Sequence, residues 1–546
     1  MFFFKTRLGR LRKAVWGHDR LCYDSLAINR GGCNYLIFLL EIVLMKKNVL
    51  ALSIAAMVGG LGFAGAASAQ SFQVNESGTG HILVVPYYTA QNGNMSVFHL
   101  TNTDTVKGKA VKVRFRGASN SDDVLDFQVF MSPGDVWTAA VTADAAGKAQ
   151  LVTADNTCTL PAIAKNTPVP FVTDRLARQG WTDADKAAQT REGYVEILNM
   201  ADISNVNAAA SSLFKATKHV NGVAPCTSAV LQDTLLGYPA MSSNAELSAP
   251  TATLTGSWYV INVAQSTTFS GAAPALVGNA PTRVVFSPQV EGETTFKTSD
   301  PLMVAGTIKA QHYDVPDLST PYFASQSLTS QTDADTNATN LTNALGRNTI
   351  MNQYATDLSI SAKTDWVFSM PTRRYTVAAN YASTATNYAG QLNVSATGTP
   401  TTSELNAYTY INSAVTGNIF STGAKVSAND QGQLCVTASK QEFYDREENV
   451  QSSGAIFSPG TTKTAKLCGE VSVLSFTSDA SALGAAVARQ TVAAPYTNGW
   501  GTIGFGADRA PVLGAAFLKL TNPQAVPGTV GTYGITWPHA YGSAAQ

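Results

Sequence analysis

AVKVRFRGASNSDDVLDFQVFMSPGDVWT, residues 110–138, decides the fold class. Val111, Val113 and Phe115 alternate with Lys112, Arg114 and Arg116, a period of two that gathers the apolar side chains on one face of a strand. Gly117 to Asp123 is a polar run of turn-forming residues, where the chain reverses. Leu125, Phe127, Val129 and Met131 form a second alternation, closed by Ser132-Pro133-Gly134-Asp135, and Val136-Trp137-Thr138 opens a third strand. Nothing here has a helical period. The unit predicts an antiparallel β-protein.

Working outward, Ile82 to Tyr88 is a continuous apolar run suited to a strand buried on both faces, with Pro86 marking a bulge or an edge. Met95 to Asn102 alternates again, after a hairpin signal at Gln91-Asn92-Gly93-Asn94. This opening has the pattern of an immunoglobulin-like sandwich, a fold-level analogy. Residues 70–155 therefore read as β-sandwich strands. Residues 156–255 read as a mixed helical and loop insertion packed against the sheet, with a strand at Tyr194 to Met200 and helical stretches near Ser211 to Lys215 and Thr227 to Leu236. Residues 256–546 read as a continuation of the sandwich or a second β domain. Its strands are expected at Trp258–Ala264, 283–286, 302–310, Trp366–Ser369, Cys435–Phe443, Glu470–Phe476 and Ala515–Thr521. Gln326 to Asn348 has partial helical character, and Ala379 to Glu404 reads as an exposed loop or edge hairpin.

The first 69 residues follow another design. Met45-Lys46-Lys47, an apolar Val49 to Ala66 and Ala67-Ser68-Ala69 form a Sec-type signal peptide, residues 45–69. Residues 1–44, with seven basic and three acidic residues, read as an over-called N-terminal extension. Lys plus Arg and Asp plus Glu balance at 37 each over the whole chain, so removing this basic leader leaves an acidic excess. Such a chain has no electrostatic reason to bind nucleic acid. Without a later apolar stretch of about 18 residues, no transmembrane segment is expected after cleavage. The expectation is an exported protein of the cell surface or extracellular space.

Four cysteines follow the leader: Cys158, Cys226, Cys435 and Cys468. An even number in an exported chain reads as disulfides, with nearest-neighbour pairing favoured among the three possible. The five histidines that follow the leader, at 81, 99, 219, 312 and 539, lie in no metal-binding or catalytic spacing. Ser212-Leu213-Phe214-Lys215 matches a four-residue catalytic pattern whose companion motifs are missing. The chain is read as a non-enzyme. Carboxylates offer one candidate chemistry, calcium binding, at Asp122, Asp123 and Asp126 in the central turn and at Asp333 and Asp335. The bland alternative makes Asp122 and Asp123 a solvated turn, weakly paired with Arg114 or Arg116. Tyr87, Tyr88, Trp137, Trp258, Tyr259, Trp366 and Trp500 are candidates for a carbohydrate groove, with sandwich core as the simpler reading.

Residues 84–88 (VVPYY), 110–138 and 364–375 (TDWVFSMPTRRY), in that order, resemble a family of exported Gram-negative cell-surface proteins, some labelled surface-layer or S-layer-type. The resemblance implies a β-rich surface protein without assigned catalytic residues. The expected function is a structural protein that self-associates into a surface layer or sheath, in contact with outer-membrane or surface polysaccharide components. The alternative is a secreted adhesin or carbohydrate-binding sandwich.

Overall fold

A computed structural model describes residues 71–546 except 206–211, 235–243, 280–302, 305–306, 309–315, 320–330, 382–389, 392–407, 411–418, 422–425, 453–463, 525–530, 543–546 and single positions at 179, 233, 430, 478–479, 494 and 523. The strand expected at 283–286 and most of the 379–404 loop lie outside the described residues. Among the described residues no helix is long and apolar enough to cross a membrane.

The opening stretch folds as its pattern dictates. Gly108–Gly117 and Asp123–Met131 are antiparallel strands, with Val113 opposite Phe127 and Arg114 opposite Asp126. They belong to an eight-stranded sheet that also holds Ile82–Thr89 and Glu192–Ile203. A six-stranded sheet, with Met95–Asn102, Val136–Ala143 and Leu254–Asn262 at its centre, packs on its apolar face. Phe98 meets Phe115 edge-on at 5.6 Å, and Phe127 meets Trp137 at 5.6 Å. Each such fully buried side chain contributes roughly 1.5–3 kcal/mol. The fold is a mainly antiparallel β-sandwich, as its alternations require.

Ile82–Thr89 is buried at every position, as its unbroken apolar run predicts. Opposite it the register slips: Gly193 pairs with Tyr88 but Val195 with Val85, so Pro86 and Tyr87 face Tyr194 alone. Pro86 thus sits in a bulge, where its missing N–H costs no ladder bond. The partner strand, Glu192–Ile203, runs between Ile82–Thr89 and Gly108–Gly117. Residues 156–255, expected to pack against the sheet, therefore thread a central strand through it. The remainder of that span holds short helices at Asp183–Gln189, Ser212–Thr217 and Ser228–Gln232. Thr182 caps the first with a reciprocal capping box to Asp185.

The C-terminal strands build a second sandwich, joined to the first through one sheet. One five-stranded sheet is centred on Lys363–Ser369, Val471–Ser475 and Leu513–Thr521. Its alternation serves two cores. Val367, Val471, Val473, Ala515 and Phe517 join the core of the first sandwich, while Trp366, Phe368, Leu474 and Ala516 join a second core. The second core is closed by another five-stranded sheet holding Thr349–Ala355, Lys440–Tyr444 and Asn498–Gly504. The cysteines pair as nearest neighbours, Cys158 with Cys226 and Cys435 with Cys468. The second bridge spans directly paired strands, since Cys435 and Cys468 are register partners.

Candidate functional site

The alternation that puts Val111, Val113 and Phe115 in the apolar core sends Lys112, Arg114 and Arg116 to the opposite face. That face is not solvent. All three cations have fully buried side chains, as do Asp123, Asp126 and Glu196. The register explains their pairing. Arg114 lies between Asp126 on one neighbouring strand and Glu196 on the other, and Arg116 between Asp123 and Tyr194. Lys112 Nζ lies 2.5 Å from Asp126 Oδ2, which also accepts from Arg114 Nη2 at 3.2 Å. Arg114 Nη1 donates to Asp123 Oδ2 at 3.2 Å. Arg116 Nε donates to Glu196 Oε1 at 3.2 Å.

The C-terminal half closes this face with charges of its own. The TDWVFSMPTRRY segment leaves its strand at Ser369 and turns so that Arg373 and Arg374 are fully buried. Arg373 Nε donates to Glu470 Oε2 at 2.5 Å. Arg374 Nη1 lies 3.8 Å from Glu196 and 3.9 Å from Asp317, and Arg116 reaches Asp317 at 3.8 Å. Its guanidinium also rides on the Tyr375 ring at 5.0 Å. The central turn plugs in alongside: Glu470 and Val471 donate their N–H groups to the Ala118 carbonyl at 2.8 and 3.0 Å. Glu192 crosses the same boundary, accepting from Tyr87 Oη at 2.7 Å and from the backbone N–H groups of Ala486, Val487 and Ala488. Together these contacts form an ionic seam between the two sandwiches. The motifs at 84–88, 110–138 and 364–375 all contribute to it.

Burial and charge pull the seam's titrations in opposite directions. Burial pushes the Asp122 carboxyl up to about 7, against the Tyr381 hydroxyl that donates to it at 2.7 Å and the Arg373, Arg374 and Arg116 charges. Burial also raises Asp123, but the Arg114, Arg175 and Arg116 guanidiniums outweigh it and hold that carboxyl below its ordinary value. Lys112 is drawn down to about 8 by burial, although Asp126 favours its charge. Gln128, the register partner of Lys112, is buried with neither amide atom hydrogen-bonded.

The calcium candidates therefore sit in cationic surroundings. Asp123 and Asp126 face ammonium and guanidinium groups, and Asp122 faces a phenol, a donor set that does not fit calcium. The reading of Asp122 and Asp123 as a solvated, weakly paired turn is also corrected: Ser119 to Asp123 are all buried. The Asp333 and Asp335 spacing falls inside a helix, Gln331–Leu345, rather than in a calcium-binding loop. Among the described residues no group of three or more His, Cys, Asp or Glu side chains is arranged to hold a metal ion.

Two of the described histidines, His81 and His539, are buried; position 312 lies outside the described residues. His539 is held neutral, burial lowering it to about 4, with Asn352 Nδ2 donating to Nδ1 and Nε2 donating to the Val367 carbonyl. His81 is likewise lowered to about 4 by burial, and its Nδ1 accepts from the Gly278 N–H. Of the aromatic candidates, Tyr87, Tyr88, Trp137, Trp258 and Trp366 are buried, and Tyr259 is half-buried against His99. Trp500 alone among them is exposed, at 40 %. Family models, curated proteins and solved structures were compared with the chain, and nothing matches.

Proposed function

We propose that this chain is a structural protein of the Gram-negative cell surface that is exported through its Sec signal and associates with itself into a layer or sheath. The observation that carries the reading is the seam: the resembling motifs are spent on locking two sandwiches into one block. Lys112, Arg114, Arg116, Arg373 and Arg374 are consumed in internal pairing and buried contacts. Two disulfides suit an oxidising, extracytoplasmic setting. Apolar residues left in solvent, among them Val263 at 77 %, Leu358 at 87 % and Tyr533 at 63 %, are available for contacts between copies.

The test combines labelling and sedimentation. Intact cells treated with a membrane-impermeant lysine reagent should label the chain, and the purified protein should sediment as large assemblies, with calcium and with chelator compared. Labelling only after lysis, together with a monomer under both conditions, would overturn the proposal.

A further inference from the structure

The outer face of the C-terminal sandwich carries a feature that the seam leaves unused. Tyr444, Trp500 and Gln353 lie in one cross-strand row, Trp500 being the register partner of both other residues. Directly opposed residues share a face of a sheet, so the three side chains stand together. The inner face beneath them is packed: Phe443, Tyr354 and Ile503 are buried. Gly501 makes this possible, because a Cβ there would sit 2.4 Å from the Phe443 ring. The Tyr444 and Trp500 rings stack at 4.2 Å, 7° from parallel, yet Trp500 keeps 40 % of its surface in solvent.

A hollow of about 580 Å³ opens here, lined by Gln353, Tyr444, Asp445, Arg446, Glu448 and Trp500, with Gly499 beneath. None of these lining residues is aliphatic. Glu448 holds φ +67°, a left-handed conformation in which Gly or Asn would sit at ease and a glutamate does not. The turn around it is built by Asp445, which accepts from the N–H groups of Glu447 and Asn449 at 2.9 Å each. Arg446 is fixed by donating to Asn498 Oδ1 at 2.7 Å.

We propose that this hollow binds a neutral saccharide, with a pyranose ring against the exposed indole and its hydroxyls bonded to Gln353, Asp445 and Glu448. An apolar C–H face packs on an aromatic ring, while carboxylate and amide groups match vicinal hydroxyls. The lining excludes the alternatives by its chemistry. It offers no aliphatic wall for a lipid chain or an apolar peptide side chain, and its two carboxylates, Asp445 and Glu448, outnumber the one cation, Arg446, which disfavours a polyanionic glycan. The proposal stands independently of layer formation.

The experiment uses the purified exported protein and three probes, cellohexaose, maltohexaose and chitohexaose, read by titration calorimetry and tryptophan fluorescence. At least one should bind saturably, and Trp500→Ala should weaken it by about tenfold or more with the thermal transition retained. Glu448→Gly separates binding from folding: it relieves the left-handed glutamate, so the melting temperature holds or rises while affinity falls. Saturable binding that both variants leave unchanged would overturn the proposal, as would no binding by any of the three sugars. Binding of an unstructured peptide in place of the sugars would also overturn it. Array formation by Trp500→Ala, scored separately, keeps a failure here distinct from a failure of the layer reading.

Discussion

Asp122 shows how a single residue links the seam to solution behaviour. Its ordinary carboxyl value is 3.8 and its folded value is about 7. The folded chain therefore binds a proton that the unfolded chain has lost, and this group's contribution to stability falls as pH rises through that window. Asp122→Asn keeps an oxygen to accept from Tyr381 and removes the titration. The variant should match the native chain near pH 4 and exceed it by on the order of 4 kcal/mol at pH 8, measured by urea unfolding across pH. Gln128 supplies a second residue-scale prediction. With both amide atoms buried and unpartnered, Gln128→Met should stabilise by about 1–3 kcal/mol, seen as a higher denaturation midpoint. Arg373 behaves oppositely. Its guanidinium is fully buried on Glu470, so Glu470→Gln leaves an uncompensated charge and should cost about 3–5 kcal/mol.

At the scale of elements, the alternation of residues 110–131 makes both strands and the turn between them legible, though not their register. It also showed that Lys112, Arg114 and Arg116 share a face. It did not show what covers that face, because Asp317, Arg373, Arg374 and Glu470 arrive some two hundred residues or more later. Periodicity reports which residues point together; only tertiary contacts decide whether that direction is water. For the same reason Asp122 and Asp123 read as a solvated turn. The strand Asn498–Gly504 (NGWGTIG) lacked a strand signal because glycines replace the β-branched residues that sheets favour. Its glycines serve close approach instead, Gly501 beneath Phe443. Trp500 stands out in the sequence as an aromatic residue, but its partnership with Tyr444 does not, since only the register brings them together. The central strand Glu192–Ile203 carries an element-scale prediction. A Cβ on Gly193 would lie 1.8 Å from the Arg116 carbonyl oxygen and 2.8 Å from the Tyr88 ring. Gly193→Ala should therefore force the bulge apart and lower the midpoint of both sandwiches together.

At the scale of the molecule, one sheet, Lys363–Ser369 with its neighbours, sends alternate residues into the cores of both sandwiches, so they should unfold as a unit. Near-ultraviolet signals from the N-terminal tryptophans Trp137 and Trp258 and the C-terminal Trp366 should change in one transition. The disulfides act on this unit through the unfolded chain. Closing loops of 33 and 68 residues limits the unfolded ensemble by about 4 kcal/mol each in the chain-entropy model. Reduction should lower the melting temperature without altering the strand pattern. A block of this kind, with charge paired inside and apolar residues left in solvent, is compatible with the self-associating role proposed above. Negative-stain electron microscopy of intact cells and of the purified exported chain tests that claim most directly. The account predicts an ordered array on cells and re-formed sheets or tubes from the pure protein. Monodisperse particles, with no array on cells carrying the protein, would contradict it.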